Sequence, residues 1–208
     1  MTKRWNIATI RHGETDYNKE SRYAGTIDIP LNEAGRRDAW QASTQIRFLD
    51  FDVAIVSPLS RAVETAEILT EGRLEIIPCK FALERDFGQL QGLTIAEVER
   101  FRPPIHFIRV GADYHSIDPP QAESFEDLRE RAKKFFQYLI DGYMGRNVLV
   151  VSHGTFLQQF HGVLRGDDWI ESLGRHVGNL ELTTFGLEGD FVASEDCKRL
   201  MRREQVMF

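Results

Sequence analysis

Cysteine is nearly missing from this chain of 208 residues: Cys79 and Cys197 are the only two. Neither sits at a metal-ligand or redox-motif spacing, which leaves out thiolate metal sites and predicts two reduced, partly buried thiols rather than a disulfide. Excess positive charge is missing as well. A net charge of −6 argues against general affinity for nucleic acid or anionic membranes, while leaving room for one focused basic pocket that receives an anion. No apolar run reaches membrane-spanning length. Lys3 and Arg4 are followed only by a short mixed run, too short and polar for a signal peptide, so a cytoplasmic protein without a membrane partner is expected. Internal repeats and low-complexity tracts are absent, and residues 1–208 read as one domain with a generous core.

Strand-like and helix-like runs alternate along that domain. Residues 5–10 form a strand-like run, and after a polar loop Asn32 can cap a helix whose Ala39, Ala42, Ile46 and Leu49 recur at helical spacing. An apolar strand over 53–56 and a helix from about 58 to 70, with Pro58 at an early position and Gly72 as its end, come next. Residues 74–77 are a short strand candidate. Thr94-Ile95-Ala96-Glu97 has the capping-box pattern for a helix to about Phe101, and Ser124 with Asp127 has it for the longest helix, closed by Gly142 or Gly145. Between them, Pro103-Pro104 and Pro119-Pro120 bracket a stretch that breaks the alternation, an inserted lobe or lid over about 93–122. A strand at 148–151 and a further helix follow, then two runs around Gly189-Asp190 that read as a hairpin; Glu195 to Phe208 stays unassigned. The expected architecture is a three-layer α/β/α sandwich, with a mostly parallel sheet and an antiparallel edge hairpin.

Three strands end in chemistry-bearing residues: Arg11-His12-Gly13-Glu14-Thr15, Ser57-Pro58-Leu59-Ser60-Arg61, and Ser152-His153-Gly154. Ligands of open parallel sheets bind beyond the carboxyl ends of the strands, so these breaks can share one crevice. Phosphoryl transfer needs an in-line nucleophile and cations that neutralise the spreading charge. Neutral His12 supplies the first, and Arg11 both binds phosphate oxygens and disfavours protonation of the attacking ring. Arg61 can grip the group from another side, His153 can orient it, and helix amino ends and the Gly13 amide add donors. A carboxylate must protonate the leaving oxygen. Glu84 is the choice for that task, although Glu14 and Asp86 compete and spacing alone does not select among them.

The ordered blocks Arg11-His12-Gly13-Glu14-Thr15 with Asn18, Ser57 to Ala62 with Thr65-Ala66, Leu83-Glu84 with Gly88 and Gly92, and Ser152-His153-Gly154 resemble the histidine phosphatase superfamily, in its branch similar to cofactor-dependent phosphoglycerate mutases. The resemblance implies a phosphohistidine on His12, a phosphate pocket of Arg11, Arg61 and His153, and Glu84 as proton donor and then base toward water. It implies that Asn18 and the Arg22-Tyr23-Ala24-Gly25 turn touch substrate or phosphate, with Gly154 and Arg85 as further substrate-binding candidates, and that neither metal nor other cofactor is needed. Tyr17, Gln91 and Ala122 depart from the common pattern without removing a phosphate-handling group.

The expected activity is hydrolysis of a small organic phosphate monoester. Two alternatives stand beside it: a 2,3-bisphosphoglycerate-dependent mutase and a noncatalytic phosphate-binding protein. The basic residues that the mutases carry after the Gly88 to Gly92 region are not matched here, where only Arg102 and Arg109 are near, and the second alternative sits poorly with four intact phosphate-handling residues. A metal site from His12, His153 and Glu84 is opposed by two adjacent guanidinium groups. Arg22 reads either as a receptor for a second anionic group or as a solvated loop charge. Phe101, Phe107 and Tyr114 read as packing within the inserted lobe or as an apolar end of the pocket, and His106, His115, His161 and His176 as structural or surface residues. Lys198, Arg199, Arg202 and Arg203, offset by nearby acids, read as wet surface.

Overall fold

The computed structural model describes residues 3–200. In chain order the elements are β1 (Arg4–Arg11), α1 (Asp16–Lys19), α2 (Glu33–Ile46), β2 (Val53–Val56), α3 (Ser60–Thr70), β3 (Ile76–Pro78) and α4 (Ile95–Val98). A hairpin of β4 (Phe107–Val110) and β5 (Asp113–Ser116) follows, then α5 (Phe125–Tyr143), β6 (Asn147–Ser152), α6 (Gly154–Arg165), α7 (Trp169–Ser172), β7 (Glu181–Glu188) and β8 (Phe191–Arg199). One sheet has the order β3-β2-β6-β1-β7-β8, parallel from β3 to β1 and antiparallel through β7 and β8. The α/β sandwich with an antiparallel edge is therefore as the sequence predicts.

Strand periodicity explains why the sheet is covered on both faces. Side chains alternate along a strand, and Ile7, Ile55, Val148 and Val150 pack with α5 and α6. Their neighbours Ala8, Ile10, Ala54, Leu149 and Val151 pack with α2 and α3 on the opposite side. Residues 53–56 and 148–151 are buried on both faces, so those two runs are apolar throughout, while Asn6 and Thr9 interrupt β1. The parallel register pairs Arg11 with Ser152 and Val56 with Val151. His12, Ser57 and His153 consequently leave the sheet at one level of one edge.

Several boundaries differ from the sequence reading, each for a local reason. Helix α2 stops at Ile46, leaving Leu49 beyond it and exposed. Helix α3 begins at Ser60 rather than Pro58, because Asp28 from a distant loop accepts from both the amide and the hydroxyl of Ser60 and supplies the missing cap. β3 lies two residues later than its apolar run, and α4 ends at Val98. Gly145, with φ +94, follows the end of α5, whereas Gly142 lies within the helix. Ser124 caps α5 through the Asp127 amide, but the Asp127 carboxylate accepts the Ser124 hydroxyl instead of completing the box. The loop after β1 contains α1, whose Thr15 and Asn18 form a reciprocal cap. β8 continues through Glu195 to Arg199: an edge strand with a mostly exposed outer face carries no apolar alternation to announce it. Lys198 and Arg199 are exposed as expected, Arg202 and Arg203 lie outside the described residues, and no described helix is long and apolar enough to cross a membrane. Cys79 is buried, Cys197 exposed, and both are free thiols.

His161 belongs to this core, with its Nε2 2.7 Å from Thr9 Oγ1. Burial, reinforced by Arg165, pushes its pKa down to about 3. His12 and His153 are likewise held well below 6.5, chiefly by burial. Above pH 6.5 all three are neutral whether the chain is folded or not, and stability is full. As the pH falls below that point the unfolded chain binds protons that the folded chain refuses, so each histidine removes up to about 1.4 kcal/mol per pH unit. Urea unfolding should therefore show stability declining between pH 6.5 and 5, above the range where carboxylates titrate. His161→Gln, which keeps a donor toward Thr9, should flatten that decline by nearly one proton. Equal slopes in parent and variant would contradict the assignment.

Candidate active site

At the carboxyl edge of the sheet, His12 and His153 face each other with ring centroids 5.1 Å apart. The Nδ1 of His12 lies 2.7 Å from the Gly13 carbonyl, an acceptor only, so Nδ1 carries the proton and Nε2 keeps its lone pair. Burial, then Arg11 and Arg61, keep this ring neutral. Asn179 donates to the His12 carbonyl at 2.7 Å and His12 donates to Ser152 at 3.0 Å, fixing the backbone on which the ring turns.

His153 is oriented by two partners. Arg61 Nε donates to its Nδ1 at 3.2 Å, so its Nε2 carries the proton and donates to Ser57 Oγ at 2.7 Å. Arg61 also gives Nη1 to Ile27 and Nη2 to Gly25 at 2.8 and 2.7 Å. Three of its N–H groups are thus spent on the protein, and two of the five that a guanidinium carries remain for a ligand. Burial pushes its pKa down to about 10, which leaves it charged at neutral pH. Arg11 donates Nη1 to Val177 at 2.7 Å, while its buried Nε has no partner among the described residues. An orphaned buried donor on a cation is costly unless an anion takes it. Gly154 makes room here, because a Cβ at that position would lie 3.2 Å from the Arg11 guanidinium carbon.

Glu84 reaches the same cavity from the loop before α4. Its Oε1 accepts from the Arg85 and Phe156 amides at 2.8 and 2.9 Å, and its Oε2 from the Thr155 amide at 3.1 Å. The first turn of α6 thereby spends its amides on a carboxylate, which suits the positive end of a helix. Those amides are not free for phosphate, and neither is the Gly13 amide, which donates to Thr65 Oγ1 at 3.0 Å. Arg11 and Arg61, by contrast, keep N–H groups without a partner among the described residues. Of the competing carboxylates, Glu14 accepts from the Asn32 side chain and Asp86 from the Gly88 amide, and neither lines the cavity.

The cavity is about 810 Å³ and is walled at this end by Arg11, His12, Arg61, Glu84 and Gly154. The family model of the histidine phosphatase superfamily (branch 1) matches residues 7–197. The chain belongs to this superfamily. It is 30% identical over 164 residues, 78% of each chain, to the uncharacterized phosphatase PhoE of Bacillus subtilis (strain 168). It is 33% identical over 157 residues, 73% of each chain, to the 2,3-bisphosphoglycerate-dependent phosphoglycerate mutase of Cytophaga hutchinsonii. The solved structure of Bacillus stearothermophilus YhfR superposes with a TM-score of 0.79 at 26% identity, covering 90% of this chain and 94% of that one.

Not every residue that the superfamily resemblance nominates reaches the cavity. Asn18, Arg22, Ala24 and Gly25 line it, although Asn18 Oδ1 is taken by the Thr15 amide, leaving its amide end for a ligand. Arg22 is paired with Glu20 at 2.6 Å and Glu97 at 3.4 Å and donates to Gly92, so it is neither a bare anion receptor nor a free loop charge. Arg85 is elsewhere. It is buried, donates to the Glu123 and Ser116 carbonyls, and lies 3.9 Å over the Phe125 ring, a strut between the hairpin and α5 rather than a substrate contact. His115 and His176, read from the sequence as structural or surface residues, line the cavity; so do Phe107 and Tyr114, whereas Phe101 does not. Phe87, Glu99, Asp113 and Gln158 join them without any sequence signal, because the loops that deliver them are far apart in the chain.

Gly35 is a positioning residue that the sequence did not announce. A Cβ there would lie 2.1 Å from the Glu14 carbonyl oxygen, and one at Gly13 would lie 2.9 Å from the Gly35 carbonyl, so α2 abuts the His12 loop backbone to backbone. Gly35→Ala has no flexible side chain to displace and must push the loop aside, at about 1–3 kcal/mol. A melting curve and steady-state kinetics should show destabilisation together with lost turnover. Unaltered kcat in a destabilised variant would separate this contact from the site.

Proposed function

We propose that the protein is a phosphomonoesterase that transfers the phosphoryl group of a small organic ester to His12 Nε2 and then to water, needing no metal or other cofactor. The supporting observation is the tautomer of His12, which leaves the lone pair of Nε2 free beside the partnerless Nε of Arg11. Arg11 and Arg61 take up phosphate oxygens, and His153, locked between Arg61 and Ser57, holds the Arg61 fork in place. As Nε2 bonds to phosphorus the ester P–O bond breaks, and Glu84 delivers a proton to the departing oxygen. Its Oε2, which accepts a single amide, is the oxygen left to carry that proton. Water then attacks phosphorus as the P–Nε2 bond breaks, gives a proton to Glu84, and leaves neutral His12 with its Nδ1–H still donated to the Gly13 carbonyl.

The single domain carries the β4–β5 hairpin as a lid over this cavity, and two reduced thiols suit a cytoplasmic setting. A mutase must also grip a second acidic group of its intermediate. Of the two further cations that the resemblance nominates for substrate, Arg22 is paired with carboxylates and Arg85 lies outside the cavity. Incubation with 3-phosphoglycerate and a trace of 2,3-bisphosphoglycerate should therefore release inorganic phosphate from the pool with little 2-phosphoglycerate. Rapid formation of 2-phosphoglycerate would reverse the assignment.

A further inference from the structure

The cavity also carries side chains of a different character. Ile95 of α4 and Phe107 and Tyr114 of the hairpin all line it while remaining 57%, 41% and 65% exposed. Large apolar side chains are ordinarily left in water singly; three that line one cavity, together with Phe87, form a surface of the kind that receives a ligand. The hairpin is not a loose flap, since Ile108 and Val110 pack onto the core beneath it. Phe107 and Tyr114 are therefore presented from an anchored element.

The carboxylates of Glu99 and Asp113 also line the cavity, and Arg22 is outnumbered by Glu20 and Glu97, with which it pairs. His176 lies 3.7 Å from the Asp113 carboxylate, and burial lowers the pKa of His115. Arg109 sits on the hairpin with its guanidinium carbon 5.8 Å from the Tyr114 ring centroid, outside the cavity wall. Of the guanidinium groups near these side chains, Arg22 is paired with two carboxylates and Arg109 lies over the Tyr114 ring, so an incoming carboxylate or second phosphate would compete with carboxylates already in place. An apolar ring would meet the faces and edges of Phe87, Phe107 and Tyr114.

The geometry points to a phosphate monoester whose alcohol carries an aromatic or similarly bulky apolar group and no second acidic group, with Phe107 and Tyr114 as the specificity-determining residues. This inference rests on the phosphomonoesterase reading. The test compares kcat/KM for 2-phenylethyl phosphate, ethyl phosphate and 3-phosphoglycerate, all esters of aliphatic alcohols, so that an activated aryl leaving group does not enter. The expected result is a preference of about 10-fold or more for 2-phenylethyl phosphate over each of the others. Phe107→Ala and Tyr114→Ala should each lower the ratio of 2-phenylethyl to ethyl phosphate several-fold, and the double variant should bring it near unity. Equal or better turnover of 3-phosphoglycerate overturns the substrate class, and a preference that neither substitution moves overturns the assignment to the hairpin. Failure of all three esters to turn over in a His12-dependent manner overturns the hydrolytic reading and this inference with it.

Discussion

With alanine at position 12, hydrolysis of any phosphate monoester should fall by on the order of 10⁴ to 10⁶, the range seen when a covalent nucleophile is removed. The loss is large because nothing else described in the cavity replaces Nε2. The facing imidazole, His153, has its Nδ1 occupied by Arg61 and its Nε2 proton directed at Ser57, so no lone pair is offered to phosphorus. Brief mixing with a labelled phosphate donor, followed by denaturation at neutral and at acid pH, provides the direct check. The parent chain should trap an acid-labile label, and His12→Ala should trap none. Labelling that persists in the variant would assign the nucleophile elsewhere. The substitution also removes the bond from Nδ1 to the Gly13 carbonyl, so circular dichroism should accompany it to show that the sheet edge has kept its form.

The second large effect is expected from Glu84→Gln, and its size should depend on the leaving group. In kcat/KM, which covers the steps up to phosphorylation of His12, alkyl esters need a proton on the departing oxygen and should lose about 10² to 10⁴, whereas 4-nitrophenyl phosphate, whose anion leaves unaided, should lose less than about 10-fold. The amide fits the same volume, but its NH₂ end cannot accept from Thr155 or Phe156, so one of the α6 amides loses its partner. That structural cost falls on both substrates alike. Only the difference between them reports proton delivery, and equal slowing would remove Glu84 from that role.

Much of the fold was legible because its signals are local. The strand-like runs at β1, β2 and β6 announced strands, and Thr94 with Glu97 and Ser124 with Asp127 announced helix starts that the structure has at those positions. The discrepancies arise where a distant residue intervenes. Asp28 moves the start of α3, and the pairing of β8 with β7 makes a strand of residues that carry no apolar alternation. In the site, Arg11, His12, Arg61 and His153 were nominated from three strand ends, and the parallel register brings those ends together. Arg85 shows the opposite outcome. Its position beside Glu84 in the chain suggested a shared cavity, but successive side chains in an extended segment diverge, and its guanidinium runs to Ser116 and Glu123 instead.

By itself, the sequence determined the layered α/β architecture and the inventory of phosphate chemistry, since hydrophobic period and residue type are properties of short segments. Tertiary structure alone decided which N–H groups stay free for an anion, which cations are paired with carboxylates, and which aromatic side chains line the cavity with His12. Those outcomes depend on hydrogen bonds and contacts between segments far apart in the chain, such as Arg61 with Gly25, Thr65 with Gly13, and Glu84 with the first turn of α6. Close approach of this kind has no local sequence pattern from which it can be read.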